Sequence, residues 1–298
     1  MNEQFKGTGV ALITPFHKYG TIDFVTLERL IEVQIKNQVE FIVALGTTSE
    51  YPSLSADEQL GVLDFVVQKV NRRIPVVAGV GGNNTQAVTA QIKAMNFDGI
   101  DAILSVTPYY NKPQPKGQYL HFKAIASASP APVILYNVPG RTGANMSADT
   151  VLRLAMDFPN IIGVKEASGD MNQVMQIIKN KPKDFLVLSG EDALTLPMIG
   201  AGADGVISVV ANAYPFEFSE MVRLAAKGEM EQARVYHYKL FDLINAIFAD
   251  GNPGGIKAAM EILNKCRNTL RLPLAKVNKA VNIQIRKAIE SIEEHPST

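Results

Sequence analysis

Eight short apolar segments, each followed by a stretch of helical spacing, constrain this chain more than any single motif does. They cover residues 10–14, 41–45, 76–79, 102–106, 133–137, 161–165, 185–189 and 205–208, with starts 20 to 35 residues apart. A strand buried on both faces reads as a continuous apolar run, and helices between such strands make the sheet parallel. Eight β units at this spacing predict an α/β fold, a (β/α)8 TIM barrel. A doubly wound sheet is the alternative, but it more usually has about five to seven strands.

Helical spacing fills the intervals. Leu27, Leu30, Ile31, Gln34 and Ile35 recur at three-to-four spacing, as do Leu60, Leu63, Val67 and Val70. Asp23, Ser55 and Ser147 mark helix starts, and Ser55 with Glu58 forms a capping box. No linker, low-complexity tract or shift in composition divides the chain. Residues 1–228 are expected to form the barrel, closed by a helix over 215–227. Residues 229–298 are expected to add a C-terminal helical extension, interrupted by Asp250-Gly251-Asn252-Pro253-Gly254-Gly255 and by Pro273.

With 47% hydrophobic residues, a chain of 298 can bury a core of barrel size. Its 29 basic and 29 acidic residues cancel without a long run of either sign. That argues against nucleic acid or an anionic membrane as the main partner. The start lacks the pattern of a signal peptide, and no apolar run approaches the ~20 residues of a membrane helix. One cysteine, Cys266, excludes an intramolecular disulfide and suits a reducing compartment. A soluble cytoplasmic protein is expected.

In such a barrel the chemistry gathers at the carboxyl ends of the strands. The sixth segment ends in Gly163-Val164-Lys165. Alternation along a strand puts Ile161, Gly163 and Lys165 on one face and Ile162, Val164 and Glu166 on the other. Gly163 is expected to leave room beside the lysine. An ammonium partly removed from water loses preference for its charged form, and the neutral amine is a nucleophile. A lysine snorkelling to the rim or paired with a carboxylate is the plainer reading. After the second segment, Gly46-Thr47-Thr48-Ser49-Glu50 offers two hydroxyls and a run of N–H groups suited to a small carboxylate, or else a plain N-terminal turn. Tyr109 and Tyr110 follow the fourth, fitted as well to packing or an interface as to a site. The fifth runs into Tyr136-Asn137-Val138-Pro139-Gly140-Arg141, which offers a phenol for proton transfer and a guanidinium fork for a second carboxylate. The eighth carries Ile207-Ser208. A lysine, tyrosines, threonines and an arginine around one mouth describe Schiff-base chemistry on a keto acid.

Three other signals carry less. Gly200-Ala201-Gly202-Ala203-Asp204-Gly205 fits G-x-G-x-x-G but precedes a strand, whereas a dinucleotide site follows one and opens a helix. A tight turn accounts for these glycines, and no cofactor is expected. His17, His121, His237 and His295 are scattered without metal-ligand spacing, so no metal is expected. His121, among Tyr119, Phe122 and Ile125, reads as packing. Glu191-Asp192 reads as the cap of a following helix.

The motifs GTTSE, VTPYYN, YNVPGRTG, GVKEASG and GADGVISV, in this order, resemble the dihydrodipicolinate synthase family. These are pyruvate-dependent class I aldolases of the N-acetylneuraminate lyase superfamily, and the resemblance runs from about Gly7 to the last helices. It implies that Lys165 forms the imine with pyruvate and that Tyr136 passes protons beside it. Thr47 and Tyr110 complete a hydroxyl relay, Tyr110 reaching in from a neighbouring subunit of a homotetramer built as two dimers. Thr48, aided by the backbone at Ile207, holds the pyruvate carboxylate, and Arg141 that of L-aspartate 4-semialdehyde. The implied product is 4-hydroxy-tetrahydrodipicolinate, in lysine and diaminopimelate biosynthesis. The alternatives are another pyruvate-dependent aldolase, such as N-acetylneuraminate lyase or a keto-deoxy sugar acid aldolase, and a non-catalytic barrel. A sugar substrate gains little from Arg141, and the retained lysine and hydroxyls disfavour the last.

Two departures stand out. Ser49 replaces a common glycine, and Asn252-Pro253-Gly254-Gly255-Ile256-Lys257 replaces a common Asn-Pro-Ile-Pro-Val-Lys in a segment expected to lie away from the imine. Many members of the family resemble one another in binding two lysines at the tight-dimer interface. Asn83 and Tyr109 fit that pocket. However, Tyr51 and Pro52 replace small residues, Ala56 and Gln59 replace histidines, and Ala87 replaces a glutamate. An unpaired buried ammonium costs several kcal/mol, so feedback inhibition by lysine is expected to be weak or absent.

Overall fold

The structure, a computed structural model, describes residues 2–294. Among them eight strands close in sequence order into a parallel barrel. They are β1 (Gly7–Ala11), β2 (Phe41–Ala44), β3 (Val76–Gly79), β4 (Ala102–Val106), β5 (Val133–Asn137), β6 (Ile161–Glu166), β7 (Leu186–Ser189) and β8 (Gly205–Ser208). Between and after them come α1 (Phe24–Lys36), α2 (Ala56–Val70), α3 (Thr85–Ala94), α4 (Pro115–Ala128), α5 (Pro139–Thr142) and α6 (Ala148–Asp157). The remainder are α7 (Met171–Asn180), α8 (Thr195–Gly200), α9 (Pro215–Ala226), α10 (Met230–Phe248), α11 (Gly254–Ile262) and α12 (Lys279–Glu294). This is the (β/α)8 barrel that the spacing predicts, with α10 packed along α9 and flanked by α11 and α12. No helix among the described residues is long and apolar enough to cross a membrane. His295 lies outside the described residues.

Inward side chains such as Val43, Val77, Leu104, Ile134 and Leu188 fill the barrel, while outward ones such as Val10, Ile42 and Val187 pack beneath the helices. Both faces of every strand are therefore dry, which is why the apolar runs are continuous. β1 lies three residues earlier than predicted, because Leu12 and Ile13 prolong the apolar run beyond the ladder. Gly9 is small for a reason: a Cβ there would stand 2.1 Å from the Phe41 ring. That ring meets Phe5 edge to face at 5.8 Å.

The caps at Asp23 and Ser147 and the Ser55–Glu58 box form as read. Leu60 does not join the buried stripe of α2 and is 52% exposed. The stripe runs through Val62, Leu63, Val66 and Val70, and Leu60 sits about 200° round the helix from Val62. The glycines at 200–205 form a tight turn before β8, where a Cβ on Gly205 would meet the Gly7 carbonyl oxygen at 2.1 Å. His121 is buried with Nδ1 2.8 Å from Thr85 Oγ1. Burial pushes its imidazole down to about 4.

β6 departs from the expected alternation. Val133 pairs with Ile161 but Ile134 pairs with Gly163, so Ile162 is the extra residue of a bulge. Ile161 consequently joins the outer apolar layer and Ile162 the inner one. Gly163 and Lys165 remain in register with the inward Leu186 and Leu188. Gly163 leaves no spare room, since a Cβ would stand 2.9 Å from that of Leu186. Its smallness serves the packing of β7.

Candidate active site

The site is assembled where the strands run out. Beyond β2, Leu45 adopts a left-handed backbone (φ 57°), and a single 3-10 turn, Thr47–Ser49, ends at Glu50 (φ 60°). Gly79 of β3 admits this turn, because a Cβ would collide with the Leu45 carbonyl oxygen at 2.1 Å. Ser49 fits where a glycine is usual: its hydroxyl donates to the Gly46 carbonyl at 2.7 Å, and it needs no left-handed backbone.

Tyr136 and Lys165 are register partners on β5 and β6, and both are buried. Lys165 is 5% exposed, with Nζ 4.4 Å from the centre of the Tyr136 ring. The Tyr136 carbonyl accepts from Thr107 N at 2.9 Å and from Thr107 Oγ1 at 3.0 Å, which fixes the end of β5 against β4. The space beside the lysine comes from Gly190, where a Cβ would stand 3.1 Å from Lys165 Cε.

Glu191 and Asp192 feel the lysine through space, and burial raises both carboxyls above their ordinary range. Glu191 stands at the N-cap of a 3-10 turn over Asp192–Leu194, but neither side chain caps it. Asp192 accepts from the N–H groups of Val209 at 3.0 Å and Val210 at 2.7 Å. Those amides leave β8 without sheet partners, so the carboxylate is drawn in to satisfy them. The result ties the end of β7 to that of β8, beside Ile207. Ile207 itself points into the inner layer and pairs with Gly9.

Thr47, Tyr136 and Arg141 line one cavity of about 260 Å³, together with Leu104, Tyr109 and Val138. Thr48 is buried behind Thr47, and its Oγ1 accepts from Asn252 Nδ2 at 3.0 Å. Arg141 Nη2 donates to the Asn252 carbonyl at 3.2 Å. The segment expected to lie away from the imine therefore touches two candidate residues. Nothing local reveals a contact between positions 204 apart in the chain, although the Asn-Pro pair kept at a family position was the available signal. Tyr110 is not brought to its own chain's cavity. Its left-handed backbone (φ 70°) turns the ring outward, 88% exposed.

A closed parallel barrel whose mouth sets a buried lysine beside a tyrosine, among threonines and an arginine, has the layout of a Schiff-base-forming lyase. The model of the dihydrodipicolinate synthetase family matches residues 4–292. The 4-hydroxy-tetrahydrodipicolinate synthase of Flavobacterium psychrophilum is 53% identical over 277 residues, covering 93% of this chain and 94% of that one. The dihydrodipicolinate synthase of Cyanidioschyzon merolae, solved with lysine bound, superposes with a TM-score of 0.94 at 37% identity over 97% of this chain and 99% of that one. A monomeric dihydrodipicolinate synthase variant superposes with a TM-score of 0.94 at 36% identity, covering 97% of each chain. This chain belongs to the dihydrodipicolinate synthetase family.

Proposed function

We propose that this chain is a lyase that condenses pyruvate with L-aspartate 4-semialdehyde to give 4-hydroxy-tetrahydrodipicolinate, serving lysine and diaminopimelate biosynthesis. The observation that carries the reading is Lys165 set beside Tyr136, in register, at the mouth of this family's barrel. The Lys165 amine attacks the keto carbon of pyruvate, and the keto oxygen leaves as water to give an iminium. That cation draws electrons from the methyl carbon, which loses a proton and becomes an enamine. The enamine carbon attacks the aldehyde, whose oxygen takes up a proton. The amine of the second substrate then displaces Lys165 and closes the ring.

Each transfer needs a hydroxyl within hydrogen-bond reach. Tyr136 serves, relayed by Thr47 and by Tyr110 of a second copy. Thr48 and the backbone at Ile207 receive the pyruvate carboxylate, and Arg141 that of the semialdehyde. No metal or cofactor enters the proposal. A reducing cytoplasm suits Cys266, whose thiol is pushed up to about 11 by burial. The test is turnover of pyruvate with L-aspartate 4-semialdehyde, set beside pyruvate with N-acetylmannosamine. Activity confined to the sugar overturns the reading.

Arg141→Ala should damage use of the semialdehyde far more than imine formation with pyruvate. Loss of a charged contact in a partly desolvated site costs about 2–4 kcal/mol, or roughly 30- to 1000-fold. Equal loss in both steps would make Arg141 structural.

The working unit is at least a dimer, and a homotetramer of two dimers accommodates the relay. Tyr110 supports this, since an aromatic ring so exposed on a left-handed loop suits an interface. Sedimentation under assay conditions decides it, and a fully active monomer rules the relay out.

Inhibition by lysine should be weak. Tyr51 and Pro52 stand in the cavity wall beside Tyr109, and Ala87, in the first turn of α3, supplies no carboxylate for a ligand ammonium. Clear inhibition below millimolar lysine at subsaturating pyruvate would show a working pocket.

A further inference from the structure

We propose that Asn252 is a positioning residue for the pyruvate carboxylate: its side-chain amide aims the Thr48 hydroxyl, while its backbone carbonyl anchors Arg141. The proposal rests on the condensation reading above and assigns a role to the loop between α10 and α11.

The argument starts from hydrogen-bond capacity. A threonine hydroxyl has one proton to give and two lone pairs to receive. Asn252 Nδ2 fills one of those lone pairs at 3.0 Å. The Thr48 proton is thereby left to be donated, and a substrate carboxylate is a pure acceptor. Asn252 is 6% exposed, and its Oδ1 is buried without a partner among the described residues. The orientation of the amide thus rests on the Thr48 contact.

The backbone of the same residue does the second task. Its carbonyl takes one Arg141 proton at 3.2 Å, which leaves the rest of the guanidinium fork for the other carboxylate. One loop residue therefore spans both carboxylate-binding candidates. Its place is held from two sides. A Cβ on Gly255 would stand 1.9 Å from the Ile247 carbonyl oxygen, so α11 begins hard against the end of α10. Five residues beyond Asn252, Lys257 is ion-paired with Glu50, two residues beyond Thr48.

The test compares Asn252→Asp with Asn252→Ala by steady-state kinetics. Aspartate keeps the volume but removes both amide protons. Its carboxylate draws the Thr48 proton to itself and repels the substrate's carboxylate. The expected rise in KM for pyruvate is about 10- to 100-fold for Asn252→Asp and about 3- to 10-fold for Asn252→Ala, with kcat changed less in both. In a Thr48→Val background, Asn252→Ala should raise KM no further.

A merely structural asparagine predicts the opposite order, with the isosteric Asp variant close to wild type and Ala the worse. That order, or additive effects in the double variant, overturns the proposal. If Asn252→Ala fails to fold, Asn252→Asp against wild type still decides, and an unchanged KM rejects the role. Failure of the condensation reading is separate. It shows as a wild-type protein that neither turns over the substrates nor forms a borohydride-trapped pyruvate adduct.

Discussion

Pyruvate with borohydride should label the wild-type protein at Lys165, and Lys165→Arg should be neither labelled nor active. The substitution is chosen because it changes one property. Arginine keeps the positive charge and most of the length, but its guanidinium does not lose a proton in proteins and supplies no free amine. If Lys165 served only as a buried cation facing Glu191 and Asp192, arginine would retain part of its work. If it forms the imine, turnover falls by about 1000-fold or more. Mass spectrometry locates the adduct. Lys112 is the internal control, since its side chain runs past Gly143 near the same mouth. An adduct at Lys112 or Lys116, or partial activity in the arginine variant, ends the assignment.

How far the sequence leads depends on whether an interaction leaves a local trace. β3, β4, β5 and β8 coincide with the segments read from the sequence, because a strand buried on both faces must be apolar throughout and Gly, Pro and Asn mark its ends. β1 was displaced because Gly7-Thr8-Gly9 carries almost no hydrophobic signal, although Phe41 demands a glycine there. The bulge at Ile162 was invisible: two adjacent isoleucines look alike whichever face each takes, and register is set by β5. The placement of Lys165, Tyr136 and Arg141 at the barrel mouth was legible because strand ends meet there. Gly190, Asp192 and Asn252 were not, since each acts through a partner on another strand or loop. Gly190 faces Lys165, Asp192 the amides of Val209 and Val210, and Asn252 the Thr48 hydroxyl.

The same kind of distant partnership holds the loop bearing Thr47 and Thr48, and breaking it should cost about 3–5 kcal/mol of stability. Glu50 and Lys257 are fully buried and paired. Glu50 also accepts from Arg271 N at 2.9 Å, and Lys257 donates to the Thr269 carbonyl at 2.9 Å. Phe16 lies beneath, its ring 4.2 Å from Lys257 Nζ and 4.6 Å from the Arg271 guanidinium. Arg271 then reaches Glu58 at 2.5 Å and the Gly20 carbonyl at 2.7 Å, so residues 257–271 strap the first two βα loops together. Burial pulls the Lys257 ammonium below its ordinary range even though Glu50 opposes this. Losing either partner leaves the other buried without its counter-ion. In Glu50→Gln the lysine can shed its proton and escape part of the penalty. In Lys257→Met the Glu50 side chain keeps only the Arg271 N–H as a donor, so this variant should also be destabilised. Glu50→Gln with Lys257→Met should recover part of the loss, because no buried charge is left unpaired. Urea unfolding reads all three as shifts in midpoint at constant slope. A Lys257→Met protein within about 0.5 kcal/mol of wild type would show that the pair does not hold the strap.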